Sequence, residues 1–129
     1  MRSIKHLDRT LILGPYSSLC VEEKAFIKEC KRIGIEASLI PPWIGAGGHA
    51  TTHHFANVKI KGDYFIVCIR PNKEHTREQC YSLLAHEAVH VFEGWMKEIG
   101  ETHPGEEIKA YGIQNITQNL IEAYRDMKL

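Results

Sequence analysis

The pattern of apolar and polar positions predicts strands and one helix in the first third of the chain. Residues 11–21 are rich in strand-forming side chains, and residues 22–34 carry apolar side chains at helical spacing. Residues 35–40 form a short apolar run that predicts a second strand, which two prolines end. Residues 43–48 are rich in glycine and predict a loop.

Two β-rich runs follow the loop and predict a hairpin. They cover residues 49–60 and 64–70, and Lys61-Gly62-Asp63 stands between them. Residues 64–69 are apolar at nearly every position, so both faces of this strand should be buried. We expect it at the centre of the sheet.

The second half of the chain predicts two long helices. Thr76 and Gln79 have the spacing of a capping box, and the helix that they open should end near Ile99, with Gly100 as its C-cap. A last helix is predicted from about Gly105 to about Met127. The apolar stripes of the two helices are Leu84, Ala88, Val91 and Trp95, and Ile113, Ile116, Leu120 and Tyr124.

These elements predict an α+β fold. Residues 1–129 should form a single domain, because a chain of 129 residues can bury one sizeable core. We expect a short antiparallel or mixed sheet packed on the first long helix, followed by a C-terminal helix. The sequence leaves the oligomeric state open.

Composition narrows the range of partners. The chain has 16 basic and 16 acidic residues and a formal net charge of zero, which argues against nucleic acid and membrane surfaces as partners. Its four cysteines form no CxxC pair and have apolar neighbours, which favours free thiols in a reducing compartment, with the cytoplasm as the default. A peptide or protein substrate fits this composition better.

The first long helix contains the motif HExxH at residues 86–90. Residues four apart lie on one face of a helix, so His86 and His90 can offer two imidazole nitrogens to one tetrahedral Zn²⁺ ion. Glu87 lies about 100° round the helix from His86, within reach of a water on the metal. The spacing predicts a zinc site with Glu87 as general base.

Catalytic zinc sites normally have a third protein ligand. The metzincin pattern is excluded, because residues 93 and 96 are Glu and Met instead of Gly and His. Glu107 is the best candidate, since a short loop would fold the next helix back against the first. The other candidates are His103, Glu106, Glu101 and Glu93. Carboxylates in a first helical turn also stabilise the positive end of the helix dipole without any metal.

Together, HExxH and the later stretch Glu107-Ile108-Lys109-Ala110 resemble the gluzincin metallopeptidases, typified by thermolysin, over residues 81–114. More narrowly, residues 49–114 look like the small zincin-like proteins of phages and prophages. The resemblance implies a zincin-like fold, a bound Zn²⁺ and peptide hydrolysis. It departs at Tyr111, where that pattern has an aspartate. Tyr111 could instead accept an imidazole N–H or stabilise an oxyanion.

A histidine-rich strand supplies one more candidate catalytic residue. Strand alternation puts His49 and His53 on one face and His54 on the other. In zincin-like folds an edge strand takes up the substrate backbone, so His53 could polarise a carbonyl or bind a product. Exposed histidines on a hairpin edge equally need no such role.

Three functional hypotheses follow from the sequence. The first is a zinc metallopeptidase in which Glu87 takes a proton from a metal-bound water and delivers it to the leaving amine. The second is a zinc-binding protein with the same scaffold that acts without catalysis, as an assembly or regulatory factor of a phage. The third is a metal-free helix whose histidines only form hydrogen bonds.

Overall fold

The computed structural model describes residues 3–7, 14–59 and 62–128. Over these residues it is an α+β fold with a four-stranded mixed sheet in the order β1-β2-β4-β3. The elements are β1 (Ile4–Leu7), β2 (Tyr16–Cys20), α1 (Glu23–Arg32), a 3-10 turn (Ala37–Leu39), β3 (Ala50–Val58), β4 (Gly62–Ile69), α2 (Arg77–Ile99) and α3 (Glu106–Asp126). β2 and β4 are parallel, whereas β1 pairs antiparallel with β2 and β3 pairs antiparallel with β4.

Strand β4 is central and divides the core into two layers. Phe65, Val67 and Ile69 pack towards α2 and α3, whereas Ile66 and Cys68 pack towards α1. All five side chains are fully buried. This confirms the prediction that residues 64–69 are buried on both faces.

Helix α2 begins and ends where the sequence predicts. The Thr76 hydroxyl accepts a hydrogen bond from the Gln79 amide, and the Gln79 side chain accepts one from the Thr76 amide. Gly100 follows the helix in the left-handed conformation, with φ of 78°. The capping box and the C-cap are therefore confirmed.

Helix α3 packs antiparallel on α2. Gly112 lies against the ring of Phe92, and the Tyr124 hydroxyl lies 3.8 Å from the Cys80 sulfur. Towards its C-terminus α3 therefore approaches the start of α2. The packing of a short β-sheet on the HExxH helix, followed by a C-terminal helix, is confirmed.

The predictions for the remaining strands are partly confirmed and partly wrong. The strand predicted over residues 35–40 is wrong, because this segment forms only the short turn Ala37–Leu39. Strand β1 was not predicted, because its four residues, Ile-Lys-His-Leu, do not alternate between apolar and polar and lie in a mixed, charged segment. The strand predicted over residues 11–21 is confirmed for Tyr16–Cys20, and residues 11–13 lie outside the described part. The hairpin of β3 and β4 is confirmed. Of its predicted turn, residues 61–63, residue 61 is not described, and Gly62 and Asp63 belong to β4 instead.

An ionic cluster around the buried Glu29 joins α1 to the sheet. Glu29 is 3% exposed, and its carboxylate accepts hydrogen bonds from Arg32 Nε at 2.5 Å and from the Tyr64 hydroxyl at 2.5 Å. His6 Nε2 of β1 lies 2.8 Å from the same carboxylate. Burial by itself would raise the pKa of Glu29, but these hydrogen bonds and the charges of His6 and Arg32 lower it to about 2.

The four cysteines are free and buried, as the sequence predicts. Burial, with a smaller effect from the neighbouring Cys20 and Glu29, raises the pKa of Cys30 to about 12. Among the described helices, none combines the length and the apolar character needed to cross a membrane.

Candidate metal centre

The HExxH helix lies directly beneath the edge strand of the sheet. Gly94, two turns after Glu87, approaches the Phe65 ring so closely that a Cβ atom there would collide with it. The His54 ring of β3 stacks on the same Phe65, with centroids 4.3 Å apart. This close packing holds one face of α2 against β3.

His86 and His90 are placed as a pair on the exposed side of that face. Their Nε2 atoms are 3.3 Å apart, and their rings are inclined at 71°. Two nitrogen ligands at tetrahedral angles on one zinc ion are also about 3.3 Å apart, given Zn–N bonds of about 2.05 Å. The pair therefore has the spacing that two ligands of a single zinc ion require.

Glu87 is held in place by the edge strand. Its side chain is 5% exposed, and its Oε1 accepts a hydrogen bond of 2.8 Å from the Thr52 hydroxyl. The Thr52 oxygen also lies 3.3 Å from the Glu87 carbonyl oxygen. The second carboxylate oxygen has no recorded partner among the described residues.

Both His86 and Glu87 line a cleft of about 610 Å³ between α2 and the start of β3. Its other walls come from the N-terminal half of α2 and from the segments before α2 and β3. They are formed by His49, Ala50, His75, Glu78, Gln79, Ser82 and Leu83. A cleft of this volume accommodates a small molecule or a few residues of a peptide.

The structure does not bring Glu107 to the histidine pair. On the two antiparallel helices, Gly112 is opposite Phe92 and Tyr124 is opposite Cys80. By the same register, Glu107 of α3 is level with residue 97 of α2. His90 of α2 is level with residue 114 of α3. The level of Glu107 therefore lies seven residues along α2 from His90, a distance of about 10 Å. Phe92 also lies about 160° round α2 from His90, so α3 packs on the far side of the helix. Glu107 is exposed in the first turn of α3.

The other candidate ligands are not assembled around His86 and His90 either. Over residues 3–7, 14–59 and 62–128, no group of three or more His, Cys, Asp or Glu side chains is arranged to hold a metal. Glu93, Glu101, His103 and Glu106 are all exposed. The described residues thus bring together two candidate ligands and a candidate base, and all of these roles, with that of the third ligand, stay predictions.

Tyr111 and His53 lie away from the cleft. Tyr111 is 62% exposed and lines an apolar groove with Trp95 and Ile108. His53 faces the α1 side of the sheet, where its ring stacks on Phe26 at 4.5 Å and its Nε2 lies 2.8 Å from the Trp43 carbonyl oxygen. Burial lowers the pKa of His53, against smaller raising effects of the Trp43 carbonyl and the Glu87 charge.

Three residues in or beside the cleft were not identified from the sequence. Thr52 carries no motif, and only the strand register places it over Glu87. His49 was grouped with His53, but it precedes the strand and lines the cleft instead, where its ring meets that of His75 edge to face at 4.7 Å. As histidines, both residues could have been singled out as candidate binding residues. Their contact with each other, however, depends on the loops before β3 and α2.

Comparison with known proteins identifies no relative of this chain. No protein-family model matches the chain, and no curated protein or solved structure matches it either. The geometry of the cleft is therefore the basis for a functional conclusion.

Proposed function

We propose that this protein is a zinc-dependent hydrolase that cleaves peptides, with Glu87 as its general base. The observation that carries the proposal is the spacing of 3.3 Å between His86 Nε2 and His90 Nε2, beside a buried carboxylate. A pair of histidines in edge-to-face contact with no metal role would not require an oriented, buried glutamate next to it. Burying a carboxylate costs free energy, and the hydrogen bond from Thr52 satisfies only one of its two oxygens, which suits a functional role for Glu87.

The donor set fits zinc in type and spacing, although it is incomplete. Imidazole nitrogens are common zinc ligands, and His86 and His90 would hold the ion. Glu107 remains the ligand that the sequence predicts, and it would have to approach from the N-terminus of α3. When bound, zinc supplies Lewis-acid chemistry: it lowers the pKa of water and polarises a carbonyl group.

Glu87 is suited to transfer protons. Thr52 occupies Oε1, so Oε2 is the oxygen that can accept a proton from the attacking water. The same carboxyl group can then deliver that proton to the leaving amine of a peptide. The fixed orientation of the carboxylate reduces the entropic cost of reaching the transition state.

The neighbouring strand favours a peptide substrate. β3 forms the end of the described sheet and pairs with β4 on one side. An extended peptide can add to such an edge through its backbone, which would place it beside the cleft. The buried free thiols fit a reducing compartment, and we infer that the protein acts in the cytoplasm.

One observation favours a second function, that of a zinc-binding assembly or regulatory factor without catalysis. The histidine pair is exposed, and the described residues group no third ligand with it. A partner protein could then supply the remaining ligand. In that case Glu87 would be dispensable for function.

The substitution Glu87→Gln distinguishes the two functions. We expect purified, zinc-loaded protein to cleave a set of quenched fluorescent peptides, and Glu87→Gln to reduce kcat at least about 100-fold because the base is lost. Zinc content, measured by elemental analysis, should be equal in the two proteins.

The exposed Glu98→Gln on the same helix, at a residue that is no candidate ligand, is the matched control and should retain full turnover. Undiminished hydrolysis in Glu87→Gln would refute the mechanism. Stoichiometric zinc without hydrolysis in the wild-type protein would favour the second function.

A further inference from the structure

The part of the cleft farthest from His90 holds a second pair of histidines. His49 and His75 both line the cleft, and their rings contact each other edge to face with centroids 4.7 Å apart. Neither belongs to the HExxH motif. Their positions follow from two local structures that meet at this point.

Backbone hydrogen bonds fix the position of each histidine. The His49 carbonyl accepts a hydrogen bond from the Arg70 amide at 3.0 Å, which extends the pairing of β3 with β4 by one step. The His75 amide donates to the Asn72 carbonyl at 3.0 Å, in the turn that precedes the capping box of α2. Both rings are thus held at the rim of the cleft by ordered backbone.

The surroundings of His75 determine which of its nitrogens can serve a ligand. Its Nδ1 is buried and has no hydrogen-bond partner among the described residues. A buried N–H group without an acceptor is rarer in proteins than a buried lone pair without a donor. The neutral ring therefore favours the tautomer that carries its proton on Nε2, the nitrogen that remains available as a donor.

The carboxylates that line this cleft are those of Glu78 and Glu87, and the helix N-terminus beside the histidine pair opposes their charge. Glu78 lines the same end of the cleft, but its Oε1 lies 3.7 Å from an Arg77 nitrogen, which partly offsets its charge. The N-terminus of α2 adds the positive end of a helix dipole. Two imidazole donors beside a helix N-terminus suit a carboxylate group.

We propose that His49 and His75 recognise a carboxylate of the substrate, and so determine which peptides the cleft accepts. His49 precedes Thr52 by three residues, which correspond to about 10 Å of extended chain. A peptide lying along β3 would therefore present this carboxylate about three residues from the bond beside Glu87. The carboxylate can belong to an acidic side chain or to the C-terminus of the peptide. This inference rests on the proposed peptide hydrolase for the identity of the ligand.

Binding to the Glu87→Gln variant tests the inference without requiring turnover. Heptapeptides with blocked ends would carry one Glu at each position in turn, and a matched set would carry Gln. A third set would contain no acidic side chain but a free C-terminal carboxylate. We expect one Glu position, or the free C-terminus, to strengthen binding about tenfold over its neutral counterpart in fluorescence anisotropy.

The preference should depend on the histidine pair. His49→Gln and His75→Gln, each in the Glu87→Gln background, should lose the preference for the carboxylate while binding the neutral peptide as before. His6→Gln is the matched control, because His6 is exposed, lies outside this cleft and is no candidate metal ligand. Melting temperatures would show that each variant is folded, and His49→Gln alone suffices if His75→Gln does not fold.

The outcomes separate the two proposals. Equal binding of acidic and neutral peptides, or a full preference in both histidine variants, would overturn the carboxylate site whatever the catalytic result. A preference that needs His49 or His75, in a protein whose wild type hydrolyses nothing, would leave the carboxylate site standing and refute the hydrolase. Spectra of ¹⁵N-labelled histidine should also show His75 protonated at Nε2, and a proton at Nδ1 would contradict the tautomer argument.

Discussion

The Thr52 hydroxyl donates a hydrogen bond of 2.8 Å to the Glu87 carboxylate, and this bond connects the edge strand to the HExxH helix. It fixes one carboxylate oxygen and directs the other. Thr52 would act on the reaction only through this carboxylate. In the proposed hydrolase it is a positioning residue for the base.

Removal of this hydroxyl should therefore affect turnover more than zinc binding. We expect Thr52→Val to lower kcat about tenfold, with little change in KM, because the shape is kept while the base loses its orientation. Thr52→Ser should restore most of the activity. Steady-state kinetics and zinc analysis of the same preparations provide the measurement.

Thr51→Val is the matched control for that prediction. Thr51 is the adjacent residue and also forms a hydrogen bond of 2.8 Å through its hydroxyl, but with the Gly45 amide. A fall in kcat as large in Thr51→Val as in Thr52→Val would show that the effect is a general loss of strand order.

Zinc affinity should depend on both histidines of the motif. We expect His86→Ala and His90→Ala each to weaken zinc binding at least about 100-fold, because each removes one of two imidazole ligands. Both side chains are exposed, so the free energy of unfolding without metal should change by no more than about 0.5 kcal/mol. Competition with a chelator of known affinity and urea denaturation measure the two quantities. Unchanged affinity in either variant would contradict the zinc site.

Substitution of Glu107 tests whether the first turn of α3 supplies a ligand to the zinc ion. The level of Glu107 lies about 10 Å along the helix from that of His90, so we expect Glu107→Gln to bind zinc within about twofold of the wild type. Glu106→Gln is the control, since it removes the same charge from the same turn. A loss of affinity confined to Glu107→Gln would show that the start of α3 moves to the ion, and would establish the ligand that the sequence predicts.

The cluster around Glu29 should make stability depend on pH. Its pKa of about 2 in the folded protein lies below its ordinary value of 4.5, so its contribution is complete above pH 4.5 and is lost as the pH falls towards 2. The difference corresponds to about 3 kcal/mol of the free energy of unfolding. Urea denaturation from pH 7 to pH 2 should show this loss.

Glu29→Gln should be less stable than the wild type at pH 7 and should lose less stability on acidification. Glu23→Gln, on the same helix but exposed, should follow the wild-type profile. Parallel pH profiles for Glu29→Gln and the wild type would contradict a lowered pKa for Glu29.

The sequence by itself determined those features that depend on local spacing. The capping box of Thr76 and Gln79, the glycine C-cap and the four-residue spacing of the two histidines are all set within one or two helical turns. The apolar run of β4 likewise predicts by itself that both faces of the strand are buried. Local rules suffice for these elements because few other conformations compete with them.

Only the tertiary structure decided which distant residues meet. The register of β3 on β4 places Thr52 over Glu87 and turns His53 to the opposite face, and the loops bring His49 to His75. The pairing of α3 with α2 sets Glu107 two turns from the level of His90, since the short connection after Gly100 fixes the register of the two helices. These relationships depend on packing between segments far apart in the chain, where a shift of one residue reverses the face of a strand or turns a helix by 100°.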